Sequence, residues 1–112
     1  MKPEEVLFNE AKELHIKGEI RDAQVIYIQL LKKNSNNSNL LFLLGTTYVQ
    51  QKNYQKGKEY LNISIKVNSN FAESYNSRGI VYAEEGEYQN ALKDYDKALS
   101  LKIVIILINF EK

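Results

Sequence analysis

Apolar residues recur at spacings of three and four positions along most of the chain, which is the pattern of amphipathic helices. Leu7, Ala11 and Leu14 share one helix face, and the same spacing returns between Ala23 and Leu31. The two-residue alternation that is typical of strands is absent before the apolar run at residues 103–108. The pattern therefore predicts a chain built from helices.

The helical pattern repeats when the sequence is shifted by 34 residues, and the alignment needs no gap. Ala11 then falls on Gly45 and Gly79, and polar breaks at 32–39 and 68–71 lie at the boundaries between copies. Each copy has room for two helices of about 14 residues joined by a tight turn. The three predicted copies cover residues 4–37, 38–71 and 72–105.

Glycine occupies the predicted turn in two of the three copies, at Gly18 and Gly86. A helix often closes on a residue in the left-handed conformation, which glycine adopts at little cost because it has no Cβ. The second copy has Lys52-Asn53 at this place. We therefore expect its turn to be strained, or adapted through Asn53.

Small residues recur once in each second helix, at Ala23, Gly57 and Ala91. Small side chains allow two packed helices to approach each other closely. A glycine inside a helix costs about 0.5–1 kcal/mol relative to alanine. From the sequence alone, Gly57→Ala is therefore predicted to raise the melting temperature.

Composition indicates one globular domain over residues 1–112 and argues against several classes of partner. Fifteen basic and fourteen acidic residues give a net charge of +1, so the chain lacks the basic footprint of a nucleic-acid-binding protein. No stretch reaches the roughly 20 apolar residues that cross a bilayer, so no membrane contact is predicted. The first residues do not resemble a signal peptide, which leads us to expect a cytoplasmic protein.

Candidate catalytic and metal-binding groups are scarce in the sequence. His15 is the single histidine, and the chain has no cysteine. A metal site built from such ligands needs several of them together, and catalysis needs convergent groups. No glycine-rich phosphate loop precedes a predicted helix. The sequence thus predicts no catalytic residues, no metal and no cofactor, and a protein that is not an enzyme.

The third copy, "AESYNSRGIVYAEEGEYQNALKDYDKALSLK", carries a recognisable signature. With it the chain resembles the tetratricopeptide repeat family. The resemblance implies an all-α superhelix, or solenoid, of three helix-turn-helix repeats, with a concave groove lined by the first helix of each repeat. Ser35, Ser69 and Ile103 replace the proline that usually closes each repeat, so looser corners are expected. The signature positions are Tyr75, Gly79, Tyr82, Tyr88, Ala91, Tyr95 and Ala98.

The resemblance also implies which side chains face the groove, where members of the family hold peptides or partner proteins. The groove residues carried over from the family are Phe8, Lys12, His15, Phe42, Thr46, Val49, Asn76, Ile80 and Ala83. Together they form a mostly apolar to neutral surface with two aromatic rings.

Some members of the family hold the acidic carboxy-terminal tail of a chaperone with a clamp of polar and basic residues. The corresponding positions here hold Phe8, Lys12, Leu43, Glu73 and Ser77. Lys12 alone is positive, and Glu73 would repel a carboxylate. The resemblance therefore does not predict chaperone-tail binding.

The sequence supports two hypotheses for the function of the chain. The first is a non-catalytic scaffold whose groove binds a peptide or a partner protein that the sequence does not identify. The alternative is that the chain is the repeat portion of a larger enzyme that resembles peptide-glycosylating transferases or sulfotransferases, in which it would hold the substrate.

The apolar tail at residues 103–112 departs from the family pattern. Leu101, Val104, Ile105 and Ile108 would form one apolar face if the last helix continued. An exposed uncharged run of this kind favours aggregation or self-association. A truncated or frame-shifted gene end explains the same residues equally well, and the sequence leaves both interpretations open.

Overall fold

A computed structural model describes the backbone of residues 2–111 and the side chains of residues 2–109. It contains six α-helices and, within these residues, no strand, which confirms the predicted all-α fold. The first helices of the three repeats begin at the predicted 34-residue spacing. The helices are α1 (Glu4–Ile16), α2 (Ile20–Lys33), α3 (Ser38–Gln50), α4 (Tyr54–Val67), α5 (Ala72–Glu84) and α6 (Tyr88–Glu111).

Successive helices pack as hairpins, and each hairpin packs on the next to form a superhelical repeat array. α2 lies against α3, α4 lies against α5, and α3 also contacts α5. The core of the first repeats joins Tyr27 and Leu30 to Leu40 and Leu44. A second cluster lies around Tyr75 in the third repeat. Since α3 contacts α5 directly, the first helices share one side of the array, where a groove can form.

The three hairpin turns have the same backbone geometry although one lacks glycine. Gly18 has a φ of +85° and Gly86 a φ of +80°, while Lys52 occupies the same place with a φ of +63°. The Asn53 side chain then begins α4 by accepting a hydrogen bond from the backbone N–H of Lys56. Of the two expectations for the second turn, strain is supported at Lys52, which takes the left-handed conformation, whereas Asn53 has a φ of −88° and contributes only the cap of α4.

Lys52→Gly should raise the free energy of unfolding by about 0.5 kcal/mol. The left-handed conformation costs a residue with a Cβ roughly 1–2 kcal/mol. Relief of that strain exceeds the stability that glycine loses because it increases the entropy of the unfolded chain. Urea unfolding measures the change. Lys17→Gly is the matched control, because Lys17 ends α1 at a φ of −73° and has no such strain to relieve. A Lys52→Gly variant no more stable than the parent would contradict the prediction.

The close approach of α3 and α4 leaves no free space beside Gly57. A Cβ on Gly57 would lie 2.6 Å from Val49 Cγ2 and 3.3 Å from the carbonyl oxygen of Gly45. The sequence-based expectation for Gly57→Ala assumed room for a methyl group, and that assumption was wrong. The structure reverses the expected sign of this substitution.

The last helix continues past the point at which the first two repeats turn. Asn37 begins α3 by accepting a hydrogen bond from Leu40 N–H, whereas α6 runs without a break through Ile103 to Glu111. Leu101 packs on the second core cluster, but the side chains from Ile103 to Ile108 are all substantially exposed. The predicted single apolar face is thus wrong, because this segment is apolar on every side. Among the helices of residues 2–111, none is long and apolar enough to span a bilayer.

Candidate binding groove

An open groove of about 510 Å³ runs across the first helices of the three repeats. Its walls come from α1, α3 and α5, and Tyr27 of α2 contributes to the floor. Helical spacing explains the arrangement, because residues three or four positions apart on each helix face the same side. Six of the nine residues expected from the sequence line this groove: Lys12, His15, Phe42, Thr46, Val49 and Ile80.

The structure does not place the other three expected residues in the groove. Phe8 is half-buried and packs against the first core cluster, where it lines a separate depression beside Asn37. Asn76 is exposed and Ala83 half-buried, and neither lines the groove wall. Phe8 lies one turn of α1 before Lys12, so the groove begins one helical turn later than the family positions suggest.

Five lining residues were absent from the sequence-based set: Tyr27 of the floor and four residues of the first helices. Ile16 and Gln50 lie one helical turn beyond Lys12 and Thr46, on the same helix faces. Leu43 and Ser77 lie three positions before Thr46 and Ile80. The signal that would have found them is the helical period itself, extended by one turn along each first helix.

His15 is held by two hydrogen bonds that join α1 to its neighbours. Its Nε2 lies 2.7 Å from Gln50 Oε1, and its Nδ1 lies 3.2 Å from the hydroxyl of Tyr27. An amide oxygen only accepts, so Nε2–H donates to Gln50, and Nδ1 pairs with the Tyr27 hydroxyl. Burial raises the pKa of Tyr27 to about 12, so this hydroxyl stays protonated. His15 is therefore a fixed part of the groove wall.

The remaining surface of the groove is largely apolar. Phe42 is oriented by an edge-to-face contact with Phe71, with ring centroids 5.4 Å apart. Among the lining side chains in the part of the chain that the structure describes, Lys12 alone carries a positive charge. Its Nζ lies 5.2 Å from the centre of the Phe8 ring. The groove thus offers hydrophobic contact with one cationic group at its edge.

Over the described residues, no three histidine, cysteine, aspartate or glutamate side chains come close enough to hold a metal ion. The histidine of the groove donates to the Gln50 amide oxygen and pairs with the Tyr27 hydroxyl, so both ring nitrogens are engaged within the groove wall. The arrangement suits non-covalent binding.

These features define a class: a helical-repeat solenoid with a groove on the side of its first helices. Two family models, both described as tetratricopeptide repeat, match residues 38–71 and residues 72–102, which together exceed half of the chain. The chain belongs to the tetratricopeptide repeat family.

Two curated relatives match parts of the chain. An NADPH oxidase activator of Dictyostelium discoideum is 27% identical over 93 residues, which are 83% of this chain and 15% of that protein. A UDP-N-acetylglucosamine–peptide N-acetylglucosaminyltransferase of Caenorhabditis elegans is 38% identical over 62 residues, 55% of this chain and 5% of that protein. The chain therefore spans only a small part of the length of either relative.

Solved structures share the fold at low sequence identity. The first tetratricopeptide repeat domain of Spaghetti (RPAP3), solved with the HSP90 peptide SRMEEVD, superposes with a TM-score of 0.82 at 20% identity, covering 88% of this chain and 78% of that one. MamA superposes with a TM-score of 0.81 at 24% identity, covering 88% of this chain and 58% of that one. The Arabidopsis OM64 tetratricopeptide repeat domain superposes with a TM-score of 0.83 at 17% identity, covering 88% of this chain and 81% of that one. These likenesses establish the fold alone.

Proposed function

We propose that this chain is a non-catalytic interaction module whose groove binds a segment of a partner protein through hydrophobic side chains. One observation carries the proposal: side chains from three separate helices converge on one open and mostly apolar groove. Surface clefts lined by apolar and aromatic side chains with a few placed polar groups are the usual form of a binding site. The fold supports the same function, because repeat arrays use their concave surfaces for binding.

The chemistry of the groove favours a hydrophobic segment with at most one acidic group. Phe42, Val49 and Ile80 offer apolar contact from two helices, and Lys12 can pair with one carboxylate at the edge. The peptide bound by the Spaghetti domain, SRMEEVD, is by contrast rich in acidic residues. Holding such a tail would require several cationic or hydrogen-bonding groups. We therefore do not expect this groove to take an acidic chaperone tail.

A displayed peptide library selected on the purified chain tests the proposal. We expect enrichment of peptides with two or more large apolar residues, and no preference for SRMEEVD over its scrambled sequence. Ile80→Glu should weaken the selected peptides at least tenfold in fluorescence polarisation, about 1.4 kcal/mol, because it places a charge on the apolar wall. Ile63→Glu is the control, since Ile63 is similarly exposed but lies on α4 outside the groove.

Two results would contradict the proposal. One is a library that yields no binders. The other is binding that Ile80→Glu leaves unchanged or that Ile63→Glu weakens equally. Strong selection of acidic peptides would keep the function but overturn the assigned ligand chemistry.

A second candidate is that these repeats hold the substrate of a catalytic domain in a longer polypeptide. The match to the Caenorhabditis elegans peptide N-acetylglucosaminyltransferase favours it, although only 5% of that protein is covered. The native product can be detected with an antibody raised against this chain. A product near 13.0 kDa would support an independent module, and a much larger one would support the second candidate.

A further inference from the structure

Equivalent positions in the second helices show where each repeat is covered by the next. In the first repeat, Gln24 donates hydrogen bonds to Thr47 Oγ1 at 3.0 Å and to Gln51 Oε1 at 2.8 Å, across to the second repeat. In the second repeat, Lys58 at the same position forms a 2.8 Å ion pair with Glu85 of the third. The third repeat has Leu92 at this position, and its side chain is 60% exposed.

A second set of equivalent positions shows the same difference. Leu31 packs against the cluster that includes Leu44 of α3. Ile65 packs against Tyr75 of α5. Leu99 is their equivalent in the third repeat and is 59% exposed. A helix therefore lies across this face in the first two repeats, as α3 lies on α2 and α5 on α4, whereas within the residues that the structure describes no helix covers this face of the third repeat.

The uncovered face extends along α6 as an apolar stripe. Leu92, Leu99 and Ile106 recur at seven-residue intervals, so they lie on one side of the helix. Ile106 is 64% exposed. Tyr95 and Lys102 flank the stripe on one side, and Asp96 and Ile103 flank it on the other. The exposed side chains at 103–108 continue this apolar surface, and contiguous exposed apolar surface of this kind marks interaction sites.

The opposite end of the array carries polar residues instead. Thr47 and Val81 are fully buried at equivalent positions of α3 and α5, whereas their counterpart in α1 is the exposed Glu13. Leu44 of α3 is likewise buried, and its α1 counterpart is Glu10. Burying these carboxylates against the leucines of α6 would be costly. Copies of this chain are thus poorly matched for head-to-tail stacking.

We propose that two copies of this chain associate through their α6 helices, which lie antiparallel about a two-fold axis beside Leu99. The stripe is symmetric about Leu99, so Leu92 of one copy packs on Ile106 of the other. A two-fold contact pairs the same patch on both copies, which matches an apolar face to itself and avoids the charged end. In the described residues no α6 side chain lines the groove, so the groove remains open and this inference does not depend on the proposed function.

Light scattering coupled to size exclusion tests the association with the full chain. We expect the mass of two chains at micromolar concentrations, and the mass of one chain for the double variant Leu92→Lys with Leu99→Lys. Both side chains are exposed, so helical circular dichroism should not change. The control pairs Val25→Lys with Ile63→Lys, which removes two exposed apolar side chains from α2 and α4 and should leave the dimer intact.

Four outcomes would overturn the proposal. The first is a parent chain with the mass of one chain, and the second is an α6 double variant that remains dimeric. The third is a mass that grows beyond two chains with concentration, which would indicate an open assembly rather than a closed pair. The fourth is a dimer that Ile80→Glu abolishes and the α6 variant does not, which would place the tail of one copy in the groove of the other.

Disulfide trapping tests the antiparallel register, because the chain has no cysteine of its own. Leu99→Cys should form covalent dimers under mild oxidation, since the two Leu99 positions face each other across the axis. Leu92→Cys is the matched control on the same stripe, and it should cross-link with Ile106→Cys but not with itself. Faster self-cross-linking by Leu92→Cys than by Leu99→Cys would overturn this register.

Discussion

Replacing Arg78 with methionine should lower the free energy of unfolding by about 3 kcal/mol, the largest stability effect that we expect from a single substitution in this chain. Arg78 on α5 donates two hydrogen bonds to the carboxylate of Asp94 on α6, from Nε and from Nη2, each 2.7 Å long. Asp94 is buried, so methionine would leave its charge without a partner away from water. Breaking a buried pair from one side is costly for this reason.

The position of Arg78 adds to the expected loss. Its Nη1 also donates to Asn62 Oδ1 of α4 at 3.0 Å, so one side chain joins three helices and two repeats. The guanidinium lies over the rings of Tyr75 and Tyr82. The hydrogen bonds that Arg78 donates to Asp94 raise the pKa of Arg78 above its ordinary value. A raised pKa means that this contribution is fully present below the ordinary arginine value, so it should not vary with pH near neutrality.

Urea unfolding of four variants separates the loss of the ion pair from general damage. Arg21→Met is the matched control, because Arg21 is the other arginine of the chain and is exposed on α2, and it should change stability by less than about 0.5 kcal/mol. Asp94→Leu alone should be destabilising. The double variant Arg78→Met with Asp94→Leu should regain most of the stability, because no unpaired charge remains. Equal effects of Arg78→Met and Arg21→Met would contradict the prediction.

Gly57→Ala should lower the melting temperature by about 5 °C, which corresponds to roughly 1–2 kcal/mol. Alanine gains about 0.5–1 kcal/mol as a helix former. Against that gain, the new Cβ would lie 2.6 Å from Val49 Cγ2, with the carbonyl oxygen of Gly45 at 3.3 Å and Val49 N at 3.4 Å. Valine is stiff at χ1, so its methyl group cannot easily turn away. Overpacking of this kind costs about 1–3 kcal/mol, and it outweighs the helix gain.

A double-mutant cycle with Val49→Ala identifies the cause. Removing the valine methyl groups removes the contact at 2.6 Å, so Gly57→Ala should be neutral or stabilising in that background. The third repeat has alanine at both equivalent positions, Ala91 and Ala83, which shows that the pair is compatible with this hairpin. Calorimetric melting of the four proteins measures the coupling. A higher melting temperature for Gly57→Ala alone would contradict the prediction.

Most of the helices, and the fold class, were predictable from the sequence because they depend on local patterns. An apolar residue every three or four positions is typical of a helix that buries one face. The 34-residue period indicates that the same pair of helices recurs in each copy. The turns were predictable as well, because glycine at positions 18 and 86 indicated a left-handed residue at the end of each first helix. Lys52 occupies the same place in the second repeat and has a positive φ. The candidate groove was predicted in part from the sequence, because six of the nine expected residues line it.

The remaining features depended on contacts between distant parts of the chain. His15 is fixed by Gln50, which lies 35 positions further along the sequence. Asp94 interrupts an apolar helix face, a signal of a buried partner, but only the packing of α5 against α6 shows that the partner is Arg78. In the sequence, Gly57 is a residue of low helix propensity that alanine should improve. The structure places Val49 of the preceding helix against it, which leaves no room for a methyl group.

The same division applies to the apolar end of the chain. Its composition was enough to identify an apolar segment that departs from the repeat pattern, and the structure shows these side chains to be exposed. Which side of α6 is exposed was decided by the tertiary structure, since a neighbouring helix contacts Gln24 and Lys58, whereas no helix among the described residues covers Leu92. Local patterns determine helices, because their hydrogen bonds are local; the surfaces between helices are set by which distant residues meet.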